Sequence, residues 1–159
     1  MTDAASSDPR VRTATAADAP TIGRMLHEFN SEFGDFTPGA EFLGRRLGRL
    51  IDEDEVHALL AGDGPDGFLT MRFFPAVLSA SLDAYVEELY VAPPKRGEGL
   101  GRALLETGMA FARDRGARNI ALNTGETDEA ARSLYESLGY TNLEGGPGGP
   151  RMLYYEREL

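Results

Sequence analysis

A chain of 159 residues is long enough for one domain with a buried core, and its 42% hydrophobic and 26% charged residues are typical of a globular protein. The absence of cysteine excludes disulfides, thiolate metal sites and a cysteine nucleophile. A net charge of −10 argues against nucleic acid as a partner, because phosphates would be repelled, and it favours cationic substrates.

The N-terminal residues 1–10 are predicted to be a disordered tail, followed by one domain over residues 11–159. The tail is polar, contains Pro9 and lacks the basic and apolar regions of a signal peptide. No apolar run reaches the ~20 residues that cross a bilayer. The sequence therefore predicts a cytoplasmic location and no membrane partner.

The two histidines, His27 and His57, do not form a metal-binding pattern. The zinc-protease helix would require a histidine where the chain has Ser31. We therefore expect both histidines to be solvated surface residues, and we expect no metal site.

Hydrophobic periodicity predicts a first half with one short strand, two helices and three strands. Thr15 and Asp18 form a capping-box pattern at the start of the first helix, and Thr37-Pro38 predicts the start of the second. Pro93-Pro94 ends the third of the later strands, because proline cannot donate a ladder hydrogen bond. The predicted elements are a strand over 11–13, a helix over 16–33, a helix from 37 onward that buries Leu43, Leu47, Leu50 and Ile51, and strands over 56–61, 67–74 and 81–91.

The second half predicts a helix, a strand and a helix, closed by two strands. These elements are a helix over 99–115, a strand over 119–123, a helix over 128–138, and strands over 140–143 and 151–158 on either side of a glycine and proline loop at 145–150. Antiparallel hairpins followed by a strand–helix–strand unit indicate an α/β or α+β fold with a mixed sheet.

Residues 96–101, which we call the glycine turn, lie between the longest strand and a helix. Gly97, Gly99 and Gly101 leave backbone N–H groups unobstructed, and a helix N-terminus adds partial positive charge. Arg96 and Arg102 bracket these glycines, so the segment suits a pyrophosphate. The Walker and dinucleotide-binding patterns both fail here. On these grounds alone, an anion site and a purely structural turn remain equally open.

Two motifs together resemble the GNAT acyltransferase superfamily. The pattern Arg96-x-x-Gly99-x-Gly101, preceded by Leu-Tyr-Val, resembles its acetyl-CoA signature. The stretch 122–140 is similar to its later motif, in which a helix carries Ala-x-x-x-Tyr and ends before Gly-Phe or Gly-Tyr. The resemblance covers about residues 11–158. It implies a GNAT-type mixed, mostly antiparallel sheet of 6–7 strands flanked by four helices.

The resemblance also implies an N-acetyltransferase that transfers acetyl from acetyl-CoA to a primary amine by direct attack in a ternary complex. Many family members carry Asn where this chain has Asp128, so Asp128 is predicted chiefly as a helix cap. The cofactor-binding residues that the resemblance implies are Leu89, Tyr90 and Val91 through their backbone, together with Arg96, Gly97, Gly99, Gly101, Arg102 and Asp128.

The catalytic residues implied by the resemblance are Tyr135, Glu87 and Glu88. An alkylamine has a pKa of about 10.4, so a base must remove its proton before attack. Neighbouring strand residues face opposite sides unless a bulge intervenes, so one of the two carboxylates can face the thioester while the other faces away. We predict Glu87 as this base and Glu88 as a second cation contact. Tyr135 is predicted as the general acid that protonates the departing thiolate.

The strand sequence Tyr-Val-Glu-Glu-Leu-Tyr-Val resembles the spermidine/spermine acetyltransferase branch, which favours a polyamine-like acceptor. The predicted amine pocket contains Phe29, Glu32, Phe33, Asp35 and Phe36, with Tyr85 and the 145–150 loop as further candidates, although Phe29 and Phe33 are expected mainly to pack in the core. Alternatives are a non-catalytic acyl-CoA-binding sensor and a nucleotide-phosphate enzyme. A homodimer paired through an edge strand at 152–159 is possible.

Overall fold

The computed structural model describes residues 8–159, which belong to two compact units, Met1–Ile120 and Ala121–Leu159. Most of the predicted tail over 1–10 lies outside the described residues, and the single domain over 11–159 stays a prediction. No helix within residues 8–159 is long and apolar enough to cross a membrane.

The first unit is built on a sheet whose first four strands form antiparallel neighbours. The strand order follows the chain, β1-β2-β3-β4-β5. The strands are β1 (Val11–Thr13), β2 (His57–Ala61), β3 (Gly67–Pro75), β4 (Leu82–Val91) and β5 (Ala117–Ala121). The helices of this unit are α1 (Ala19–Phe33), α2 (Ala40–Asp52) and α3 (Leu100–Asp114), with short 3-10 turns at Ala16–Asp18 and Pro93–Lys95.

Helices cover both faces of this sheet. Phe68 of β3 belongs to the buried cluster that contains Ile22 of α1 and Leu47 of α2. Leu69 and Met71 point to the other face, where their side chains lie against Gly108 of α3. All three β3 side chains are fully buried, so the strand anchors the sheet between the two helical layers.

The start of α2 differs from the prediction. The helix begins at Ala40, and its N-cap is Gly39 with a φ of 98°, whereas Thr37 was expected to cap it. The Thr37 hydroxyl instead bonds His27 Nδ1 at 3.0 Å and accepts a hydrogen bond from the Gly39 N–H at 3.3 Å. The buried side of α2 is confirmed, because Leu47 and Leu50 are buried.

β4 and β5 start at the same end of the sheet, because the Leu82 N–H donates to the Gly116 carbonyl oxygen at 3.2 Å. The two strands are neighbours, and α3 connects them, so they run parallel. β4 has ten residues and β5 has five. Within residues 8–120, the second half of β4 therefore pairs with β3 on one side and extends beyond β5 on the other.

The second unit contains α4 (Glu129–Ser137) and an extended C-terminal segment. The strands predicted over 140–143 and 151–158 are wrong. Among residues 121–159 only an isolated bridge joins Leu143 to Arg151, with Met152 N–H donating to the Asn142 carbonyl at 2.7 Å. The sheet within residues 8–159 thus has five strands and not six or seven. The α-helices in this part of the chain number four, as expected.

Candidate active site

The glycine turn leads directly into α3. Gly97 and Gly99 have φ values of 82° and 83°, a left-handed conformation that glycine adopts without strain. Gly99 is the N-cap of α3, and no side chain caps that helix end. A Cβ atom built on Gly97 would meet nothing within 4 Å. The first N–H groups of a helix have no partner within the helix, so this end presents donors and partial positive charge.

Arg96 is bound to other parts of the protein. Its Nη1 and Nη2 donate to the two carboxylate oxygens of Glu32 at 2.6 and 2.7 Å, and its Nε donates to the Val91 carbonyl oxygen at 2.9 Å. The hydrogen bond from Arg96 lowers the pKa of Glu32. Arg96 therefore ties the end of α1 to the glycine turn, which makes it less suited to the predicted role of a charge partner for pyrophosphate. Arg102 Nη1 lies 3.8 Å from Glu106 Oε1, one turn further along the same helix.

Arg10 contacts the glycine turn, and this contact was not predicted from the sequence. Its Nη1 donates to the Glu98 carbonyl oxygen at 2.9 Å, across 88 residues of sequence. Its Nε and Nη2 are bound to the carboxylate of Asp8 at 3.0 and 2.8 Å. Nothing in the local pattern distinguishes Arg10 from Arg12, so its role emerges only from the folded structure.

The backbone of Leu89, Tyr90 and Val91 lies on the part of β4 that extends beyond β5. These residues pair with Leu69, Phe68 and Gly67 of β3, respectively. The Tyr90 ring is buried and packs against Phe29 at 5.3 Å and Phe68 at 6.0 Å. The side chain therefore serves the core, and only the main-chain groups on the β5 side could bind a ligand.

The pairing of β3 with β4 shifts by one residue beside the two carboxylates. Thr70 pairs with Glu88 and Met71 with Val86, which leaves Glu87 without a partner on β3, as in a β-bulge. Thr70 lies on the same face of β3 as Phe68, so Glu88 lies on the α1 side of the sheet. Glu87 is exposed, and its carboxylate accepts a hydrogen bond from Arg72 Nε at 2.7 Å.

Glu88 has the properties of a base at neutral pH. Burial raises the pKa of this carboxyl to about 7, and the negative charges of Glu87 and Asp35 add to that effect. A general base works best when its pKa lies near the working pH. Glu87 was predicted as the base from the sequence, but its carboxylate is bound by Arg72. The geometry therefore favours Glu88 as the base.

The segment after α1 exposes two aromatic rings. Phe33 is 60% exposed and Phe36 is 86% exposed, so the expectation that Phe33 packs in the core is wrong. Phe29 does pack against the core and meets the Phe33 ring edge-on at 5.3 Å. Gly34 ends α1 in a left-handed conformation, which starts the turn that carries Asp35 and Phe36.

In the second unit, Asp128 caps α4 as predicted. Its Oδ1 accepts a hydrogen bond from the Ala131 N–H at 3.1 Å. Tyr135 lies on the same helix, and burial, together with the negative charge of Asp128, raises the pKa of its hydroxyl. Its ring lies 6.0 Å from the ring of Tyr140. Tyr135 is therefore protonated at neutral pH, as a general acid must be.

His57 is not the solvated surface residue that was expected. Its side chain is 11% exposed and contacts the rings of Phe73 and Phe111 at 5.1 and 5.7 Å. Burial and the charge of Arg115 lower the pKa of His57. An aromatic packing role follows, because the start of β2 places this ring beneath α3.

A family model described as the acetyltransferase (GNAT) family matches residues 22–140, which include β4, the glycine turn and α4. The chain belongs to the GNAT acetyltransferase family. It is therefore an acetyl-transferring enzyme, and the resemblance seen in the two sequence motifs is confirmed.

Individual relatives agree with this family. The chain is 44% identical to an Arthrobacter sp. FB24 protein of known structure, described as a candidate acetyltransferase; the match covers 97% of this chain and 98% of that one, with a TM-score of 0.87. It is 28% identical to an aminoglycoside N(6')-acetyltransferase type 1 of Stenotrophomonas maltophilia, over 97% of this chain and 96% of the relative.

A third relative is longer than this chain. Over 67% of the present GNAT chain, the identity to a mycothiol acetyltransferase of Thermobispora bispora is 39%. The match spans 31% of the length of that enzyme. The similarity is thus confined to about a third of the mycothiol acetyltransferase.

Proposed function

We propose that this GNAT enzyme transfers acetyl from acetyl-CoA to a primary amine on a cationic small molecule. The observation that carries the proposal is the position of Glu88. This half-buried carboxyl, with a pKa of about 7, lies on the strand that ends just before an uncapped helix N-terminus. A base and an anion-binding turn on one continuous segment suit a reaction between an amine and a phosphate-bearing donor.

Coenzyme A fits the residues that the resemblance indicates. The space beside Gly97 admits a ligand against the backbone, and the N-terminus of α3 suits a diphosphate. The main-chain groups of Leu89–Val91 on the β5 side would bind the amide groups of the pantetheine arm, as an added strand does. Gly97, Gly99, Gly101 and Arg102 would supply N–H donors to the diphosphate. Asp128 acts through its helix cap.

The chemistry assigned to this chain is two proton transfers. Bound acetyl-CoA supplies a thioester carbonyl at which a C–N bond forms and the C–S bond breaks. The Glu88 carboxylate accepts the proton of the incoming ammonium group, which leaves the nitrogen lone pair free to attack. The Tyr135 hydroxyl donates a proton to the departing sulfur. The nitrogen loses its second proton as the amide forms, which restores the tyrosine hydroxyl, and Glu88 returns its proton to water between turnovers. Glu87, held by Arg72, contributes negative charge that attracts the cation.

The acceptor is proposed to carry positive charge. The chain has a net charge of −10, and the negative charges of Glu87 and Asp35 add to the effect of burial in raising the pKa of Glu88, so negative potential is concentrated where the amine would arrive. The exposed Phe33 and Phe36 rings flank Asp35 in the chain and would contact the acceptor's carbon skeleton or its cation. The aminoglycoside relative supports an amine nitrogen as the acceptor, and polyamine-like amines belong to the same charge class.

The test is release of coenzyme A thiol from acetyl-CoA across a panel of amines. The protein has no cysteine, so it contributes no thiol to the signal. We expect turnover with di- and polyamines or aminoglycosides to exceed turnover with neutral amines of similar size, and to rise with pH through about 7 as Glu88 ionises. Preference for neutral acceptors would contradict the cationic class.

Matched variants test the base. Glu88→Gln should lower kcat about 100-fold or more and abolish the pH dependence near 7, while Glu87→Gln should retain most of the turnover. Equal losses in both variants would assign the effect to charge alone. Coenzyme A binding without thiol release from any amine would instead favour the non-catalytic sensor, and protection by ATP in place of coenzyme A would favour a nucleotide enzyme.

A further inference from the structure

We propose that Arg10 is a positioning residue that orients the Glu98–Gly99 peptide of the glycine turn and thereby sets the affinity for coenzyme A. This inference rests on the proposed function, because it assumes that the turn binds the diphosphate. Arg10 lies outside both sequence motifs, immediately before β1.

Arg10 is bound beside the turn through its backbone and through Asp8. Its carbonyl oxygen accepts a hydrogen bond from the Gly62 N–H at 3.0 Å, which fixes its backbone at the start of β1. Asp8 binds both Nε and Nη2 of its guanidinium and also accepts the Arg10 N–H at 2.9 Å. Nη1 then points at the Glu98 carbonyl oxygen, 2.9 Å away.

The geometry of a peptide bond explains why this contact matters for the opposite side of the turn. The Glu98 carbonyl and the Gly99 N–H belong to one planar trans peptide and point in opposite directions. By fixing the carbonyl oxygen, Arg10 also fixes the direction of the Gly99 N–H. A charged donor on the oxygen polarises the peptide and makes that N–H a stronger donor to an anion. Arg10 can therefore act on a phosphate without contacting it.

The turn needs such support because it contains both freedom and an unfavourable charge. Gly97 and Gly99 flank Glu98 and give this peptide wide conformational freedom. The Glu98 carboxylate would repel a diphosphate, and Lys95 Nζ lies 3.9 Å from it. The guanidinium of Arg10 adds a second positive charge, with Nη2 3.7 Å from the position of a Cβ atom built on Gly99.

The experiment is calorimetric titration of coenzyme A, together with steady-state kinetics, on Arg10→Ala and on Arg12→Ala as its matched control. Arg12 lies two residues further along, on β1, and its guanidinium donates hydrogen bonds to the Asp18 carboxylate at 2.7 and 3.0 Å. Arg10→Ala should weaken coenzyme A binding and raise the KM for acetyl-CoA about tenfold, with kcat at saturating acetyl-CoA unchanged. Arg12→Ala should change neither constant.

Two further variants separate orientation from charge. Arg10→Lys keeps the charge but loses the fork that joins Asp8 to Glu98, so its affinity should stay close to that of Arg10→Ala. Adding Glu98→Gln to Arg10→Ala should not restore binding if the carbonyl contact is what matters. Full restoration by either change would overturn the orienting role.

The outcomes distinguish this inference from the proposed function. If the wild-type protein binds no coenzyme A, the proposed function fails. If it binds normally and Arg10→Ala matches Arg12→Ala, only the role of Arg10 fails. Should Arg10→Ala not fold, Arg10→Lys gives the decision, and a wild-type affinity in that variant would refute the inference.

Discussion

Two tyrosines of the second unit, Tyr135 and Tyr140, provide a controlled test of the proposed acid. The Tyr140 hydroxyl is buried without a hydrogen-bond partner in residues 8–159, and burial raises its pKa to about 12. Tyr135 carries the proposed proton transfer to sulfur. Tyr135→Phe should therefore lower kcat about 100-fold while coenzyme A affinity, measured by calorimetry, is unchanged.

Tyr140→Phe is the matched control for that substitution. It removes a buried hydroxyl that has no partner in the described structure, so the loss should be neutral or slightly stabilising. We expect kcat to remain within about twofold of wild type in steady-state assays. Full activity in Tyr135→Phe, or equal losses in both variants, would remove Tyr135 as the acid.

The choice of Glu87 or Glu88 as the base shows how far the sequence can specify a single residue. Two adjacent carboxylates on a strand near the glycine turn predict that one of them faces the reaction. Which one depends on the register shift opposite Thr70 and on Arg72, which binds Glu87 from the neighbouring strand. Both are tertiary features, so the sequence alone can propose the pair of residues, while the choice within the pair has to come from the folded structure.

At the scale of elements, the glycine turn offers a second controlled test. Gly97 and Gly116 both have positive φ values, 82° and 92°, and in both cases an added Cβ would meet nothing within 4 Å. Alanine at either position should cost about 1 kcal/mol of unfolding free energy, because a left-handed conformation is strained for a residue with a side chain. Denaturant titration measures this cost.

Only Gly97→Ala should affect the cofactor. The methyl group would occupy space at the turn that the proposed function assigns to the diphosphate, so we expect coenzyme A to bind about tenfold more weakly by calorimetry. Gly116 follows the C-terminal end of α3, away from the glycine turn, and its substitution should leave the affinity for coenzyme A unchanged. Equal coenzyme A affinities in the two variants would place the diphosphate elsewhere.

Elements with strong local signals were predictable from sequence. The apolar spacing of α1 and α3 and the glycines after them gave helices at nearly the observed bounds. The closing strands failed because a strand depends on a partner. Arg151 and the residues after it have an aromatic composition that is typical of a strand. The loop before them contains three glycines at positive φ, and only a single bridge forms, between Leu143 and Arg151.

For the molecule as a whole, the fold class was predictable from the sequence, and so was the segment that holds the candidate site. The motif around Arg96 identified the glycine turn, but the structure shows its guanidinium bound to Glu32. The sequence gives no signal for Arg10, because its contact lies 88 residues away along the chain. Long-range contacts of long side chains follow from the completed fold and carry no local pattern, so sequence analysis does not reveal them.

Stability as a function of pH is a whole-molecule property that Glu88 should control. Because burial raises its pKa from 4.5 to about 7, the folded state binds this proton more tightly than the unfolded state does. The unfolding free energy should therefore fall as pH rises from 4.5 through 7. One pKa unit corresponds to about 1.4 kcal/mol, which sets an upper limit of about 3.5 kcal/mol before solvent screening of this half-buried side chain.

Glu88→Gln removes this dependence, because its amide is neutral at every pH. We expect the variant to match wild type below pH 4.5 and to be about 1–3 kcal/mol more stable at pH 8, measured by urea unfolding at a series of pH values. His57 acts in the opposite direction, since its pKa is lowered by burial and its contribution to stability is lost as pH falls below 6.5, but it is common to both proteins and cancels in the difference. Glu87→Gln loses the pair with Arg72, so it should gain no comparable stability. A constant difference between Glu88→Gln and wild type across this range would show that Glu88 ionises as an ordinary surface carboxylate, and its role as the base would lose its physical support.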